Sequence, residues 1–535
     1  MISFDDFPVV YFALGYALSV GVVLLFFLRK NIPYFPKIIL GICVISVVMM
    51  RLPMVVFNQE INPDESQMIA HALTLSHYPT YWESVDGTTI GPVNNYMLLI
   101  PAAFGLGFDY TAMRLLGLVW VIGSLFFFYH SVKNFFDAPT AQLSLLPPLF
   151  FLAFTQDPDF VHYSSEQLPL FLLNAALWRL SKLSSTDLNS FAGIFWLGLL
   201  LGINPFAKIQ VVPQVAIIGL FVLIILYQHR QFWKSVLCLI AGGLVFPFLI
   251  VVASTIAGVL DDLWDYYVLG NLIYAGGSSL LDAIVRLPSF FAKSMDFLLY
   301  LGSISLFILF GIFQRDKQRV FKFNWLSVFV FLWLIAALYA ATKTGNDFGH
   351  YLNLCIYPFA LLGALFIYKI QKSTSLVPMA ALAALLPFMV SFGVKTIQHR
   401  SLNAYISGSD HQVPISNVSK LILKYAQTPD RLVIWGWMCR YHVETQLPQG
   451  TAENHSERCI YPHPLREKYY RRYLDDLRKN RPKVFADAVG NSLWLNDRTT
   501  QAHEVFPELN DFIEKNYRLV GETDRTRVYI LNTVH

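Results

Sequence analysis

Asn62-Pro-Asp-Glu-Ser-Gln67 follows directly on a long apolar run and opens a polar stretch that extends to about Gly91. Two adjacent carboxylates, Asp64 and Glu65, thus stand just past a hydrophobic span in a chain that is mostly apolar. The segment continues as Ser66-Gln-Met-Ile-Ala-His-Ala-Leu73, which reads as a helix able to lay an apolar face on a bilayer. Its acids fall at the helix N-terminus, where the dipole favours the ionised form. An ionised, immobilised carboxylate is what draws a proton from an acceptor hydroxyl or amine. Acids at a membrane surface, followed by helices too short to span, point to a catalytic pocket rather than a pore.

Composition sets the class around this motif. The chain has 535 residues, 55% hydrophobic and 14% charged, where soluble domains carry about 25% charged residues. Charge is concentrated at the end: residues 395–535 hold 20 Lys/Arg and 16 Asp/Glu, 36 of the 76 charges in the chain. The expected architecture is an all-α multi-pass membrane module over 1–394, with surface helices in an outer loop at 58–110, followed by an exported α/β domain at 395–535. The net charge of +4 is a small difference of large sums and gives no reason to expect a nucleic-acid partner.

Spanning a bilayer takes about 20 mainly apolar residues. Twelve segments are candidates: 8–28, 37–57, 111–130, 139–155, 164–181, 190–204, 209–227, 236–257, 295–313, 325–342, 352–368 and 376–394. The run 92–107 is apolar but short and holds Pro92, Asn94, Asn95 and Pro101, so it reads as a surface helix. Lys and Arg prefer cytoplasmic loops. With 92–107 kept out of the membrane, 14 of the 20 basic residues before Lys395 fall on one side and 17 of the 20 acids on the other. The first outer loop and the C-terminal domain then lie outside the cytoplasm, consistent with a bacterial inner membrane. The first span lacks a basic leader and a small-residue cleavage pattern, so it is not expected to be a cleaved signal peptide. Cys439 and Cys459 fall in the exported domain, where a disulfide is permitted.

The C-terminal region reads as strands at 431–437, 482–487 and 527–531 with helices at 465–480 and 506–517. It has no metal-ligand spacing and no Gly-rich phosphate loop, and is expected to support or recognise substrate. A divalent metal is possible, and no cofactor is certain.

Other polar residues at membrane depth have bland and functional readings. Lys208 follows Asn204-Pro-Phe-Ala, where Asn204-Pro205 is expected to break the helix; it either snorkels or binds phosphate. His350-Tyr351 opens a late span from the outside, as interfacial anchors or as donors to the same phosphate. Glu166 heads a span and needs a partner there, either Arg114 or another cation, or a catalytic role. Tyr81, Trp82, Trp264, Tyr266 and Tyr267 read as interfacial belt residues.

Taken in order, Pro63-Asp64-Glu65, Gly91-Pro92, Arg114-Leu-Leu, Gly198-Leu-Leu-Leu-Gly202 leading to Lys208, and His350-Tyr351 followed by Pro358 resemble the C-type glycosyltransferases that use polyprenyl-phosphate sugars, the group with protein O-mannosyltransferases and the lipid A aminoarabinose transferase. The resemblance implies an inverting transfer on the extracytoplasmic face, from a polyprenyl-phosphate sugar to a lipid, glycan or protein acceptor. Asp64, with Glu65 beside it and Glu166 as a second acid, would match the catalytic acids; Lys208, His350 and Tyr351 would match the donor phosphate ligands. Two departures stand out: Ile90-Gly91-Pro92 lacks the polar residue many members place there, and the span 8–28 is extra. A lipid-linked-glycan transporter or flippase would share the spans, but no internal repeat is visible. A non-catalytic assembly subunit would not need Asp64, Lys208 and His350-Tyr351.

Overall fold

The computed structural model describes residues 8–532 except 30–31, 33, 186–189, 229–230, 278, 314–323, 369–375 and 399–411. Asp5, Asp6 and the loop cations Lys30, Arg230, Arg315, Lys317, Arg319, Lys322, Lys369 and Lys372 lie outside the described residues. All twelve apolar segments are helical. Among the described residues nine helices are long and apolar enough to cross a membrane, and a tenth counts if the bent pair Leu260–Gly277 and Leu281–Ala292 is one span. Ala138–Phe154 and Phe191–Ala207 are apolar but have 17 residues each. Gln167–Ser185 carries Asn174, Arg179 and Lys182 and is less apolar. The run 92–107 forms two short helices, Pro92–Met97 and Ile100–Ala103, and does not span.

The chain divides into two compact units: Met1–Val56 with Gly117–Ile250 and Tyr274–Ser409, and Phe57–Leu116 with Val251–Ile273 and Asp410–His535. The boundary therefore differs from one at 394/395, because the first outer loop belongs with the C-terminal segment.

In the first unit the core forms around Ala138–Phe154, buried at every position from Thr140 onward. It packs against Phe35–Val56, Met295–Phe313, Ile356–Ile367 and Leu376–Ile397, so its outer surface is other helices, and seventeen residues are enough for it. The extra helix Pro8–Leu28 packs on Leu376–Ile397 and Phe35–Val56. Its Tyr16 ring lies flat on Phe154 at 4.0 Å. Helices Phe191–Ala207 and Phe232–Ala257 approach closely enough to need glycine. A Cβ on Gly198 would lie 2.1 Å from the Leu239 carbonyl oxygen, and one on Gly202 would lie 2.1 Å from that of Gly243. Small residues four apart allow such backbone contact between apolar helices.

The second unit holds a four-stranded sheet of β1 (Leu432–Trp435), β2 (Val484–Asp487), β3 (Tyr517–Thr523) and β4 (Thr526–Leu531), in the order β1-β2-β4-β3. β1 and β2 are parallel, whereas β2–β4 and β3–β4 are antiparallel. Helices Arg466–Asn480 and Pro507–Asn516 lie where the sequence places them. β3 is the strand that reading missed, since its residues Arg518, Gly521 and Glu522 hide the alternation. Cys439 and Cys459 are both buried free thiols, so no disulfide joins them.

Helix Pro63–His77 corrects a second expectation. Every residue from Glu65 to Leu75 is buried, so the helix has no face to lay on a bilayer. Arg440–Thr445 packs on it, Thr74 Oγ1 accepts the Gln449 N–H at 3.0 Å, and Asn454 Nδ2 donates to the Gln67 carbonyl at 2.9 Å. Its cover comes from residues nearly 400 positions away, which local periodicity cannot anticipate. Of the expected belt aromatics, Tyr81, Trp82, Tyr266 and Tyr267 are buried in this unit. Trp264 is exposed.

Candidate functional site

The first unit gathers four of the expected site residues. Helix Phe191–Ala207 runs through Pro205 and stops at Lys208, whose backbone is extended (φ −158°, ψ 120°). The break thus falls at the lysine itself; Asn204 stays helical, its side-chain amide donating to the Leu200 carbonyl at 2.8 Å. Lys208 Nζ donates to Ser165 Oγ at 2.6 Å and forms an ion pair with Glu166. Both charged side chains are buried, and the ammonium lies 5.3 Å from the centre of the Tyr351 ring. A snorkelling lysine would reach water; this one does not. Lys208 is the cation that Glu166 needs, and Arg114 is not its partner.

Tyr351 and His350 lie on the 3-10 helix Gly349–Cys355, ahead of Ile356–Ile367. The Tyr351 and Tyr274 hydroxyls are 2.9 Å apart, and Asn346 Nδ2 donates to Tyr274 at 3.0 Å. His350 stacks on Phe348 and places Nδ1 3.5 Å from Asp159 Oδ1. Gly349 lets Asp159 come close: a Cβ there would lie 2.3 Å from Asp159 Oδ2. Burial works to raise the Asp159 carboxyl, but hydrogen bonding and charge from His350 outweigh it and hold the group below its ordinary value. Sequence reading passed over Ser165, Tyr274, Asn346 and the role of Asp159, because the pattern of an isolated segment carries no sign of a partner elsewhere. Asp347, beside His350 in sequence, is paired instead with Arg286 at 2.7 Å.

The second unit holds Asp64 and Glu65, and gives them different surroundings. Asn62 caps the helix by accepting the Asp64 N–H at 3.0 Å, and Pro63 follows in the first turn. Asp64 is partly exposed. Glu65 is buried and accepts from Arg114 through both oxygens, Nε to Oε1 at 2.7 Å and Nη2 to Oε2 at 2.6 Å. Glu65 Oε2 also accepts the Ile61 N–H at 3.3 Å, while Arg114 donates to the Phe57 and Gln59 carbonyls. The pair ties residues 57–61 to the helix start, so Glu65 is a structural anchor for the turn that presents Asp64.

Around that helix lies a buried polar network. Arg472 Nη2 meets Asp86 Oδ2 at 2.5 Å, with its guanidinium 3.5 Å above the Tyr266 ring. Burial opposes ionisation of Asp86, but Arg472 and Arg458 hold its carboxyl below the ordinary range. Glu453 has the opposite outcome: burial pushes it up to about 8 despite Arg472. Among the described residues one group, Asp487, His503 and Glu504, has the spacing to hold a metal ion. Arg498 bridges both its carboxylates, at 3.1 and 3.3 Å, and Arg527 also pairs with Glu504, so guanidinium charge already occupies the place of a cation.

No protein-family model matches the sequence, and no curated protein matches it. Solved structures do. ArnT from Cupriavidus metallidurans bound to undecaprenyl phosphate aligns over 91% of this chain and 97% of its own, with a TM-score of 0.57 at 11% identity. The archaeal oligosaccharyltransferase AglB from Archaeoglobus fulgidus, in complex with an inhibitory peptide and a dolichol-phosphate, aligns over 85% and 69% with a TM-score of 0.44 at 12% identity. The S. cerevisiae Pmt1–Pmt2 complex bound to the sugar donor aligns over 43% and 34% with a TM-score of 0.34 at 14% identity. At these identities the likeness is one of architecture, and the chain has the multi-pass C-type fold that it shares with ArnT over nine-tenths of its length.

Proposed function

We propose that this protein is a membrane glycosyltransferase that moves a sugar from a polyprenyl-phosphate donor to an acceptor on the extracytoplasmic face by inverting displacement. The observation that carries the reading is the buried group of Lys208, Glu166, Ser165 and Tyr351 in the first unit, in a fold shared with a structure bound to undecaprenyl phosphate. An ammonium has three N–H donors. Glu166 and Ser165 engage two of them, which aims the ammonium; the third serves a phosphate oxygen of the donor. Tyr351, tied to Tyr274, and His350, oriented by Asp159, supply further donors. Charge that develops on the departing phosphate is stabilised by these preset groups without reorganisation.

In the second unit Asp64 acts as the general base, removing the acceptor proton as the acceptor oxygen or nitrogen attacks the anomeric carbon and the lipid phosphate leaves. Glu65 contributes through Arg114, as a positioning residue. The distribution of basic loops supports the exported face, and the membrane of this reading is a bacterial inner membrane. The test is transfer of radiolabelled sugar from polyprenyl-phosphate donors by the purified protein in proteoliposomes. Product formation that requires Asp64 is expected; lipid-linked sugar crossing the bilayer without transfer would replace the reading with a flippase.

A further inference from the structure

Gly436 (φ +121°) turns the chain at the end of β1, and the next residue, Trp437, lies parallel to His455 at 4.2 Å with 3° between the rings. The Trp437 N–H donates to Ser492 Oγ at 2.8 Å, which fixes the turn. Trp494 stands at 89° to Trp437 with ring centres 5.9 Å apart, so the two indoles form a corner. Tyr461 closes one side by donating its hydroxyl to the Trp494 carbonyl at 3.1 Å, with Gln501 Nε2 3.5 Å from that hydroxyl. Trp494 is 44% exposed and Tyr461 36%, and no other tryptophan among the described residues 412–532 is so exposed.

We propose that Trp437, Trp494 and Tyr461 form a binding platform for a pyranose ring and that the acceptor of the reaction is therefore a carbohydrate. The surroundings favour a sugar over a lipid surface. Ser492 places a hydroxyl beside Trp437, and Gln501 an amide beside Tyr461. A sugar presents the matching pattern, with C–H faces for aromatic stacking and hydroxyls at its rim. The platform is also joined to the base. His455, under Trp437, places Nε2 3.4 Å from Gln67 Nε2, and Gln67 follows Asp64 by one helical turn, about 4.5 Å along the axis. The charge of Asp64 reaches Glu457 on the same segment as His455. A sugar held on the corner and the carboxylate that deprotonates it thus belong to one compact unit.

The acceptor role rests on the transferase reading above; the binding does not. Full-length protein in detergent is titrated with maltotriose, chitotriose and mannotriose by calorimetry and saturation-transfer NMR, without donor. At least one trisaccharide is expected to bind, with affinity about tenfold weaker in Trp494→Ala, the size expected when one indole face is lost. Trp437→Phe keeps a ring on His455 and is expected to fall between, and unfolding midpoints report whether either variant is damaged. In transfer assays Trp494→Ala is expected to raise acceptor KM with little change in kcat. Absence of binding by all three sugars overturns the proposal, as does binding indifferent to both substitutions. Quenching of Trp494 emission by brominated phosphatidylglycerol in nanodiscs also overturns it and assigns the corner to the membrane. Trisaccharide binding without any sugar transfer sinks the transferase reading and leaves the platform; transfer to a peptide without trisaccharide binding does the reverse.

Discussion

Glu65 holds Arg114 at two points, with Nε–Oε1 and Nη2–Oε2 distances of 2.7 and 2.6 Å, and both side chains are sealed from solvent. The ion pair spans helix Pro63–His77 and the start of Tyr110–Phe135. Removing one partner of such a pair leaves a buried charge and costs about 3–5 kcal/mol. Glu65→Ala is therefore expected to lower the unfolding midpoint strongly, and Glu65→Gln to lower it less. If Glu65→Gln abolished transfer with an unchanged midpoint, Glu65 would be part of the chemistry and not only an anchor.

On the proposed reading Asp64, its neighbour, is the general base. Asp64→Asn preserves size and the capped helix start but cannot accept a proton. A drop of about 10²–10⁴-fold in transfer is expected, the usual contribution of a general base, with donor binding and unfolding midpoint retained. Wild-type rates in Asp64→Asn would remove it from the mechanism.

Lys208 and Glu166 call for a double variant, because either single change strands a buried charge. Lys208→Ala is expected to weaken donor use by roughly 10–150-fold, equivalent to about 1.5–3 kcal/mol for a lost charged hydrogen bond. Adding Glu166→Gln neutralises the orphaned acid and should restore the unfolding midpoint. Donor use should stay low in the double variant. Recovery of both would mean that Lys208 serves only to pair Glu166.

Stability of the second unit should fall as pH rises above neutral. Burial lowers His71 and His442 to about 4 and His455 to about 3. Their stability contribution is full above the ordinary histidine pKa of about 6.5 and is lost as pH falls toward the folded values. Burial raises Glu453 to about 8 and Asp476 to about 6. Their contribution is full below the ordinary carboxylate range and is lost as pH rises through those values. Between about pH 6.5 and 8 only Glu453 of these groups changes, so stability falls with rising pH. Unfolding midpoints measured from pH 6.5 to 8.5 check this fall. Glu453→Gln is expected to flatten it.

The site residues differ in how legible they were, and for a physical reason. Lys208, His350 and Tyr351 stood out as candidates because a cation or polar pair in an apolar run is costly there. Their partners Ser165, Tyr274 and Asn346 are ordinary polar residues at loops and helix ends, and only contact makes them notable. Asp64 and Glu65 looked equivalent as neighbours in sequence. Helical geometry turns one about 100° from the other, leaving the first partly exposed and sending the second into Arg114.

By itself the sequence determined the membrane architecture, since long apolar helices, nine of them among the described residues, have no stable place in water and backbone groups in lipid must pair within helices. It likewise determined that 92–107 does not span, because Pro92, Pro101 and two asparagines interrupt the run, and the core strands of the C-terminal sheet, because their apolar runs end at turns. Tertiary structure alone decided which charges pair, Glu65 with Arg114 and Lys208 with Glu166, and which unit owns the first loop. It also decided that helix Pro63–His77 is sheathed by residues 440–455 rather than lying on a bilayer. Apolar transfer free energy is written into each segment locally. The pairing of buried charges depends on which distant segments meet, and that is a property of the packed chain.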